Sequence, residues 1–443
     1  MKKILLLGAG RSSSSLIKYL LDNANNQQWL VTICDVSIES AQSKCGANPS
    51  GRPVKFDVND SAQREYEVQQ ADLIISLLPP HLHHLVAVDC VRFKKHFLTA
   101  SYLSDEIKLL HDDAKEAGII LLNECGLDPG IDHMSAMQVI DNIHAKGGKL
   151  SSFKSYTGGL VAPESNDNPW GYKISWNPRN VILAGQGTAR YIRNGEYKFI
   201  PYNRIFTEIE TIVVDGIGSF DGYANRDSLA YRHHYGIDTI PTLLRGTLRH
   251  AGYCRAWDVF VKLGLTDDSY HLENSEELTY ASIVKSFLPA ASIKKTLPES
   301  VAHMCGLPVE GEAMTKVIWT GIFDDVKTGI KNASPAMILQ HLLEQKWKLQ
   351  ADDKDMIVMQ HQFEYVLNGG NHQIFSSLIV KGDDQTYTAM AKTVGLPLGI
   401  TAKLVLEGKI KLTGVCIPVM REIYEPVLAE LALAGIVFEE KES

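Results

Sequence analysis

No two cysteines in this 443-residue chain are spaced CxxC; the seven, Cys34, Cys45, Cys90, Cys125, Cys254, Cys305 and Cys416, are odd in number and widely scattered. That distribution argues against a disulfide framework or a zinc ribbon. Net positive charge is also missing. With 44 Lys+Arg against 52 Asp+Glu the formal charge is −8, and no Lys/Arg block offers the basic surface through which nucleic-acid binders displace counterions, so no nucleic-acid partner is expected. Long apolar runs are scarce too. Met1 to Leu7 opens like a signal peptide, but Gly8, Gly10 and Arg11 interrupt it before an apolar region of about 7 to 15 residues is complete. No other apolar stretch approaches the roughly 18 to 20 residues that span a bilayer, so no membrane partner and a cytoplasmic location are expected. What the chain has is the composition of a globular protein, 45% hydrophobic and 22% charged. Its length exceeds the roughly 250 to 300 residues that one core supports, which predicts two or three domains.

The first 128 residues alternate short apolar runs with amphipathic segments, the pattern of βαβ units in a parallel sheet covered on both faces. Strands are expected at Ile4 to Leu7, Leu30 to Cys34, Val54 to Val58, Asp72 to Leu78, Phe97 to Ser101 and Ile119 to Asn123, and Ser104-Asp105 is read as the cap of a helix through Ala117. Beyond Gly130 the texture changes. Lys149 to Leu160 reads as a strand, and the Tyr-, Trp-, Asn- and Gly-rich stretch to about residue 235 as mixed α/β. From Pro241 to about Lys348 the pattern reads as helical, with Leu244, Leu248, Trp257 and Val261 on one stripe and Ser334-Pro335 opening a helix. Strands are expected again at Met356 to Tyr365, Phe375 to Val380 and Tyr387 to Met390, the last two joined by a Gly382-Asp383-Asp384 turn. The fold class is α/β: a Rossmann-like doubly wound parallel sheet, a mixed α/β second domain and a helical third domain.

The first strand runs into Gly8-Ala9-Gly10-Arg11-Ser12-Ser13 and then a helical pattern. Such a loop presents backbone N–H groups and a helix N-terminus to a pyrophosphate; the first two glycines allow the tight turn and close approach, and the third position, Ser13, needs only a small residue. An ordinary glycine turn fits the same string. The second strand, however, ends at Asp35, where a carboxylate can accept hydrogen bonds from the adenosine ribose and would repel a 2′-phosphate. No Arg or Lys lies between Asp35 and Ala41, so NAD is favoured over NADP. Asp35 could instead simply cap the helix that follows.

Longer strings carry more information than this loop. They are Ser76-Leu77-Leu78-Pro79, Thr99-Ala100-Ser101-Tyr102, Gly126 to His133 (GLDPGIDH), Ser155 to Leu160 (SYTGGL), Ser175-Trp176-Asn177-Pro178, Asn225-Arg226-Asp227-Ser228, Thr242 to Arg249 (TLLRGTLR) and Lys392 to Pro397 (KTVGLP). Together they make the chain resemble, nearly end to end, the glutamate-forming saccharopine dehydrogenases, or saccharopine reductases. The resemblance implies a three-domain oxidoreductase of lysine metabolism. It would oxidise the secondary amine of saccharopine with a nicotinamide cofactor to an imine, which water splits into glutamate and 2-aminoadipate 6-semialdehyde, or run the reverse. The implied domains are 1–130 plus about 399–443 for the dinucleotide, about 131–240 plus 349–398 for substrate and dimerisation, and about 241–348 as a helical insertion. A homodimer partner would be sought on the second of these. Members using NADP resemble one another in an arginine just after the second strand, where this sequence has Asp35-Val36-Ser37. The family's Ser-Tyr-Cys-Gly-Gly is here Ser155-Tyr156-Thr157-Gly158-Gly159, so a cysteine thiol cannot be the obligatory acid/base.

By the same resemblance the cofactor-binding residues are Gly8, Gly10, Arg11, Ser12, Asp35, Leu78, Ala100, Leu127, Asp128, Pro129 and Ser175, and the substrate-binding residues Ser101, Tyr102, Arg226, Thr247, Leu248 and Arg249. The chemistry suits these types. A tricarboxylate needs fixed cations, and guanidinium pairs bidentately with carboxylate and stays charged when partly buried. Arg226 could otherwise pair with Asp227 or Asp221 on a surface loop. Asp128 and Tyr102 are the candidates for the proton transfers that amine deprotonation and imine hydrolysis require; Asp before Pro-Gly also suits an ordinary turn. His81, His83 and His84 lack an acidic or cysteine partner in the sequence, so no metal site is expected; they read as a loop and first helical turn near the cofactor edge. Cys125 reads as a small buried residue closing a strand. Two other readings stay open: an imine reductase making carboxylated polyamines, whose cationic diamine would favour an acidic pocket over Arg226, Arg245 and Arg249, and a cofactor-binding protein without catalysis.

Overall fold

The computed structural model describes residues 1–442. The chain forms two compact units: residues 1–150, 365–372 and 378 to the described end, and residues 151–364 with 373–377.

The first unit is built on strands β1 (Lys2–Leu7), β2 (Trp29–Asp35), β3 (Gly51–Lys55), β4 (Leu73–Ser76), β5 (His96–Thr99) and β6 (Ile120–Leu122). They pair in parallel in the order β6-β5-β4-β1-β2-β3, and the strand Gly414–Cys416 adds beside β6. The last four residues of β1 and all of β4 are buried, as a sheet covered on both faces demands. This is the doubly wound sheet expected from the apolar runs. The chain moves outward from β1 to β3 and then returns to β4 on the other side of β1, a switch point at whose carboxyl ends such sheets bind ligands. β3 differs from its expected Val54 to Val58. Its register against β2, Val31 with Gly51 through Asp35 with Lys55, ends the strand early, and Phe56 and Val58 bury in the core beyond it. Ser104 caps a helix as expected, accepting from Ile107 N at 3.3 Å, but the segment divides into Asp105–Lys108 and His111–Glu116.

The C-terminal return begins before Gly399, at the helix Ala389–Leu406. It lies flush on the helix Ser14–Gln27: a Cβ at Gly395 would sit 2.8 Å from Leu16 N, and one at Gly399 2.6 Å from Tyr19 Cδ1. Although long and apolar enough to cross a bilayer, this helix is 72% buried inside the protein. The expected strand Tyr387 to Met390 is not one. The Thr388 hydroxyl accepts from Ala391 N at 2.9 Å and caps the helix instead.

The second sheet contains β7 (Lys149–Val161), β8 (Ala189–Arg193), β9 (Glu196–Ile200), β10 (Ile209–Val214), β11 (Gly218–Ala224), β12 (Thr242–His250), β13 (Asp355–Leu367) and β14 (Gly370–Lys381). Its order through β14 is β10-β11-β12-β7-β13-β14, with β8 beside β12 and β9. Pairing is mixed, because β12 is antiparallel to β11 and parallel to β7. The expected helix from Pro241 is corrected here: residues 242–250 form a strand, and the first helix is Tyr253–Lys262. Leu244 and Leu248, four apart, satisfy one face of a strand as well as one stripe of a helix, so their spacing could not decide. The helices that follow share one apolar core with the sheet, in which Tyr156, Leu244 and Leu248 meet Trp257, Met314, Leu339 and Trp347. The helical segment therefore belongs to the same unit as the mixed sheet, giving two units where the sequence suggested three domains.

Candidate active site

In the first unit, Gly8 follows β1 with φ +104°, and a Cβ there would sit 3.0 Å from Leu77 O. Only glycine fits that turn. At Gly10 a Cβ would meet nothing within 4 Å, so the outer side of the loop is open. The turn Arg11–Ser13 and the helix Ser14–Gln27 begin without side-chain caps. The Ser13 and Ser14 hydroxyls donate backward, to Gly10 O at 2.8 Å and Arg11 O at 3.3 Å. The helix N-terminus, with exposed Arg11 and half-buried Ser12, thus keeps amide N–H groups for an anion. Asp35 accepts from Ala9 N at 2.7 Å and Ser37 N at 3.0 Å. It does not cap the helix Ile38–Cys45. Ser37 does, accepting from Ser40 N at 3.1 Å, so the carboxylate organises the glycine loop instead. Lys44, the first cation after Asp35, donates to Ser14 Oγ. These residues fit a dinucleotide.

Leu78 follows β4 and Ala100 follows β5, both at the carboxyl ends of their strands. Ala100 packs against the turn that carries Leu127, Asp128 and Pro129, where a Cβ at Gly126 would come within 2.8 Å of its methyl group. The turn is closed by Gly126 N to Pro129 O and Ile131 N to Gly126 O, both 2.9 Å, and Asp132 accepts from Gly130 N at 2.6 Å. Leu127 and Pro129 are buried while Asp128 is half-exposed. Sequence reasoning missed the group that fixes this turn. Glu124, itself buried, accepts from Leu103 N at 3.0 Å and lies 2.9 Å from Nε2 of the fully buried His133. One carboxylate so ties the Ser101-Tyr102-Leu103 segment to the helix that follows the Asp128 turn. Neither partner is near Glu124 in periodicity, so no sequence signal marks it.

His83 was also underread. Its Nδ1 lies 2.8 Å from Ser76 Oγ and its Nε2 2.7 Å from Ser101 Oγ. Burial pushes its pKa down to about 4, so the imidazole is neutral near pH 7. His84 Nδ1 meets His81 O at 3.1 Å, and His81 is exposed. Cys125 is buried as expected, 3.3 Å from Thr401 Oγ1, with its thiol pushed up to about 12 by burial.

In the second unit, Arg226 is exposed just beyond β11 with φ +46°, and its carbonyl accepts from Arg190 N at 2.8 Å. Of the carboxylates weighed as its partners, Asp227 pairs with Arg190 at 3.0 Å, and Asp221 accepts from Cys254 N at 3.2 Å. Thr247, Leu248 and Arg249 lie on β12. Thr247 is opposite Thr157 of β7, so Thr157, Thr247 and Arg249 share one face of the sheet. Leu248 points the other way into the core. Arg249 is only 4% exposed. Its guanidinium lies 5.3 Å from the Tyr172 ring centroid and 5.4 Å from that of Tyr253, and Nη1 donates to Leu248 O at 3.0 Å. Among the described residues no carboxylate pairs with Arg249, and its Nε and Thr157 Oγ1 are buried with no hydrogen-bond partner. Two orphaned buried polar atoms on one sheet face mark where a polar ligand would complete the hydrogen bonding. Ser175 is buried in this unit, beside Ile174, whose N–H donates to Trp347 O at 2.8 Å.

Known proteins resemble this chain over nearly its whole length. Residues 4–122 match the family model described as saccharopine dehydrogenase NADP binding domain, and residues 126–436 that described as saccharopine dehydrogenase C-terminal domain. Among curated proteins, the chain is 34% identical over 439 residues to the saccharopine dehydrogenase [NADP(+), L-glutamate-forming] of Pyricularia oryzae, covering 97% of this chain and 96% of that one. It is also 34% identical to the alpha-aminoadipic semialdehyde synthase of Arabidopsis thaliana, covering 99% of this chain but only 44% of that longer protein. The solved structure of apo saccharopine dehydrogenase (L-Glu forming) from Saccharomyces cerevisiae is similar over 100% of both chains, with TM-score 0.89 and 32% identity.

Proposed function

The chain belongs to the saccharopine dehydrogenase family, and from that premise we propose that it interconverts saccharopine with L-glutamate and 2-aminoadipate 6-semialdehyde, using a pyridine nucleotide and water. The observation that carries the reading on this chain's own residues is Arg249, a buried guanidinium that forms no ion pair among the described residues, the carboxylate opposite it on β11, Asp221, accepting from Cys254 N instead, in a protein of charge −8. An isolated buried charge is costly unless a counterion arrives. A substrate carboxylate is such a counterion. A cationic diamine, which a carboxylated-polyamine reductase must hold, would instead add like charge.

The nucleotide supplies hydride acceptance in one direction and donation in the other. The protein supplies everything else. Arg249 and Arg226 hold carboxylates of the substrate, and the orphaned Thr157 hydroxyl completes a polar contact in the same pocket. Asp128 takes the proton from the secondary amine so that its lone pair can support loss of hydride from the adjacent carbon. The resulting substrate imine adds water at carbon. Tyr102 and Asp128 return protons to the departing nitrogen as the C–N bond breaks, leaving glutamate and the semialdehyde. The rigid Asp128 turn and the Glu124 tie keep these groups from drifting, which matters because positioning is most of what the protein contributes to a hydride transfer.

The nucleotide is NAD in this reading. The fungal relatives' names specify NADP(+), so the adenosine end is where this chain is proposed to differ from them. The support is local. Asp35 places a carboxylate at the tip of β2, no cation occurs from residue 36 to 41, and Lys44 is occupied with Ser14. A 2′-phosphate would face like charge there. The pocket assignment is tested with Arg249→Met and Arg226→Ala. Each should raise the saccharopine KM at least about 10-fold, the loss expected for a charged hydrogen bond, with reduced-cofactor affinity unchanged. An unaltered KM in both would remove these arginines from the substrate site.

A further inference from the structure

His83 opens the helix His83–Phe93 and is 2% exposed. It spans two hydroxyls at the carboxyl ends of neighbouring parallel strands: Ser76, the last residue of β4, and Ser101, two residues beyond β5. Ser101 is held a second time, because its N–H donates to Thr99 Oγ1 at 3.2 Å, and that oxygen lies 3.5 Å from His83 Nε2. We propose that His83 is the positioning residue of Ser101, pinning the serine hydroxyl in one rotamer and one hydrogen-bonding sense toward the substrate through the chain Ser76–His83–Ser101. The proposal rests on the reading of Ser101 as a substrate ligand.

A half-exposed serine left alone samples three staggered rotamers. A rigid imidazole wedged against its oxygen removes that freedom. A neutral ring offers one donor and one acceptor, so the tautomer it adopts between Ser76 and Ser101 decides whether Ser101 presents its proton or its lone pairs to the pocket. The chain anchors rather than conducts. Passing a proton inward would leave it on Ser76 Oγ, which is fully buried, and a charged hydroxyl there has no solvation. The geometry therefore separates His83 from the groups that move protons, Asp128 and Tyr102.

Two polar substitutions divide the contacts of the ring. Asparagine reaches only the Nδ1 position and keeps the bond to Ser76; glutamine reaches the Nε2 position and keeps the bond to Ser101. His83→Asn should raise the saccharopine KM by about 3- to 10-fold, the worth of one hydrogen bond, whereas His83→Gln should stay within about 2-fold of the parent. Reduced-cofactor Kd should be unchanged in both. In a Ser101→Ala background the two should become equivalent, since coupling vanishes when the mediating group is gone. Equal effects of His83→Asn and His83→Gln with Ser101 present, or the same Asn effect with and without Ser101, would overturn the proposal. If Ser101→Ala alone leaves the saccharopine KM unaltered, the assignment of Ser101 to the substrate fails, and this role of His83 fails with it.

Discussion

Replacing Asp35 probes the adenosine end of the dinucleotide site with a magnitude the structure sets. Its carboxylate already accepts from Ala9 N at 2.7 Å and Ser37 N at 3.0 Å, which holds it in place, and each oxygen keeps a further lone pair for the ribose hydroxyls of the proposed site. A hydrogen bond to a charged group contributes about 1.5 to 3 kcal/mol, or roughly 10- to 150-fold in affinity. Asp35→Asn keeps an acceptor for Ala9 N and loses the charge; NADH binding should weaken about 10-fold. Asp35→Ala also frees the Ala9 amide and loosens the glycine loop, so the loss should approach 100-fold. NADPH should behave differently. A unit charge about 5 Å from another at an effective dielectric near 20 interacts by about 3 kcal/mol, and removing the carboxylate relieves that repulsion, offsetting the lost loop bond. The ratio of NADH to NADPH affinity, measured by quenching or calorimetry at fixed ionic strength, should therefore fall in both variants. A parent protein that binds NADPH more tightly than NADH, or a ratio unmoved by Asp35→Ala, would refute the reasoning.

Three further outcomes follow from single contacts. Glu124→Ala strips acceptors from Leu103 N and His133 Nε2; at about 1 to 3 kcal/mol for each stranded group the cost is about 2 to 6 kcal/mol, lowering the first unit's unfolding midpoint by about 4 to 24 °C in calorimetry, and an unchanged midpoint would dissolve the tie. At Gly130, φ is +148° and a Cβ would overlap Gly126 O, so Gly130→Ala should distort the Asp128 turn and lower kcat at least about 10-fold, a 1.4 kcal/mol effect. For His83 the folded pKa of about 4 lies below its ordinary 6.5. Its contribution to stability is complete above pH 6.5 and is lost as pH falls toward 4, by about 3 kcal/mol in all. Urea titrations at successive pH values should show His83→Gln losing less stability than the parent over that window; parallel curves would contradict a buried neutral ring.

The parallel sheet was legible because its central strands are buried on both faces and appear as unbroken apolar runs, Ile4 to Leu7 above all. Where a strand's partners rather than its own composition set its limits, the reading slipped, as at β3, whose register against β2 ends it before Phe56 and Val58. Residues 242–250 misled for a related reason: four-residue spacing serves both periodicities, and only pairing to β7 and β11 selects the strand. Tyr387 to Met390 looked extended because Thr388 and Tyr387 favour strands, but a hydroxyl before Ala389 also caps a helix. The glycine loop and Asp35 could be named in advance from local chain geometry, and Asp128 from the resemblance of its turn to the family. Glu124, His133 and the link from His83 to Ser101 could not, because they join residues that meet only after folding. Arg249 was named, but its burial without an ion pair, the feature that gives it meaning, belongs to the folded structure alone.

The central claim is tested most directly by incubating the purified protein with saccharopine and either NAD or NADP, following reduced-nucleotide absorbance and assaying glutamate separately. The account predicts saccharopine-dependent reduction, one glutamate formed per nucleotide reduced, and a higher kcat/KM with NAD than with NADP. No reduction with either nucleotide, or reduction without glutamate, would contradict it.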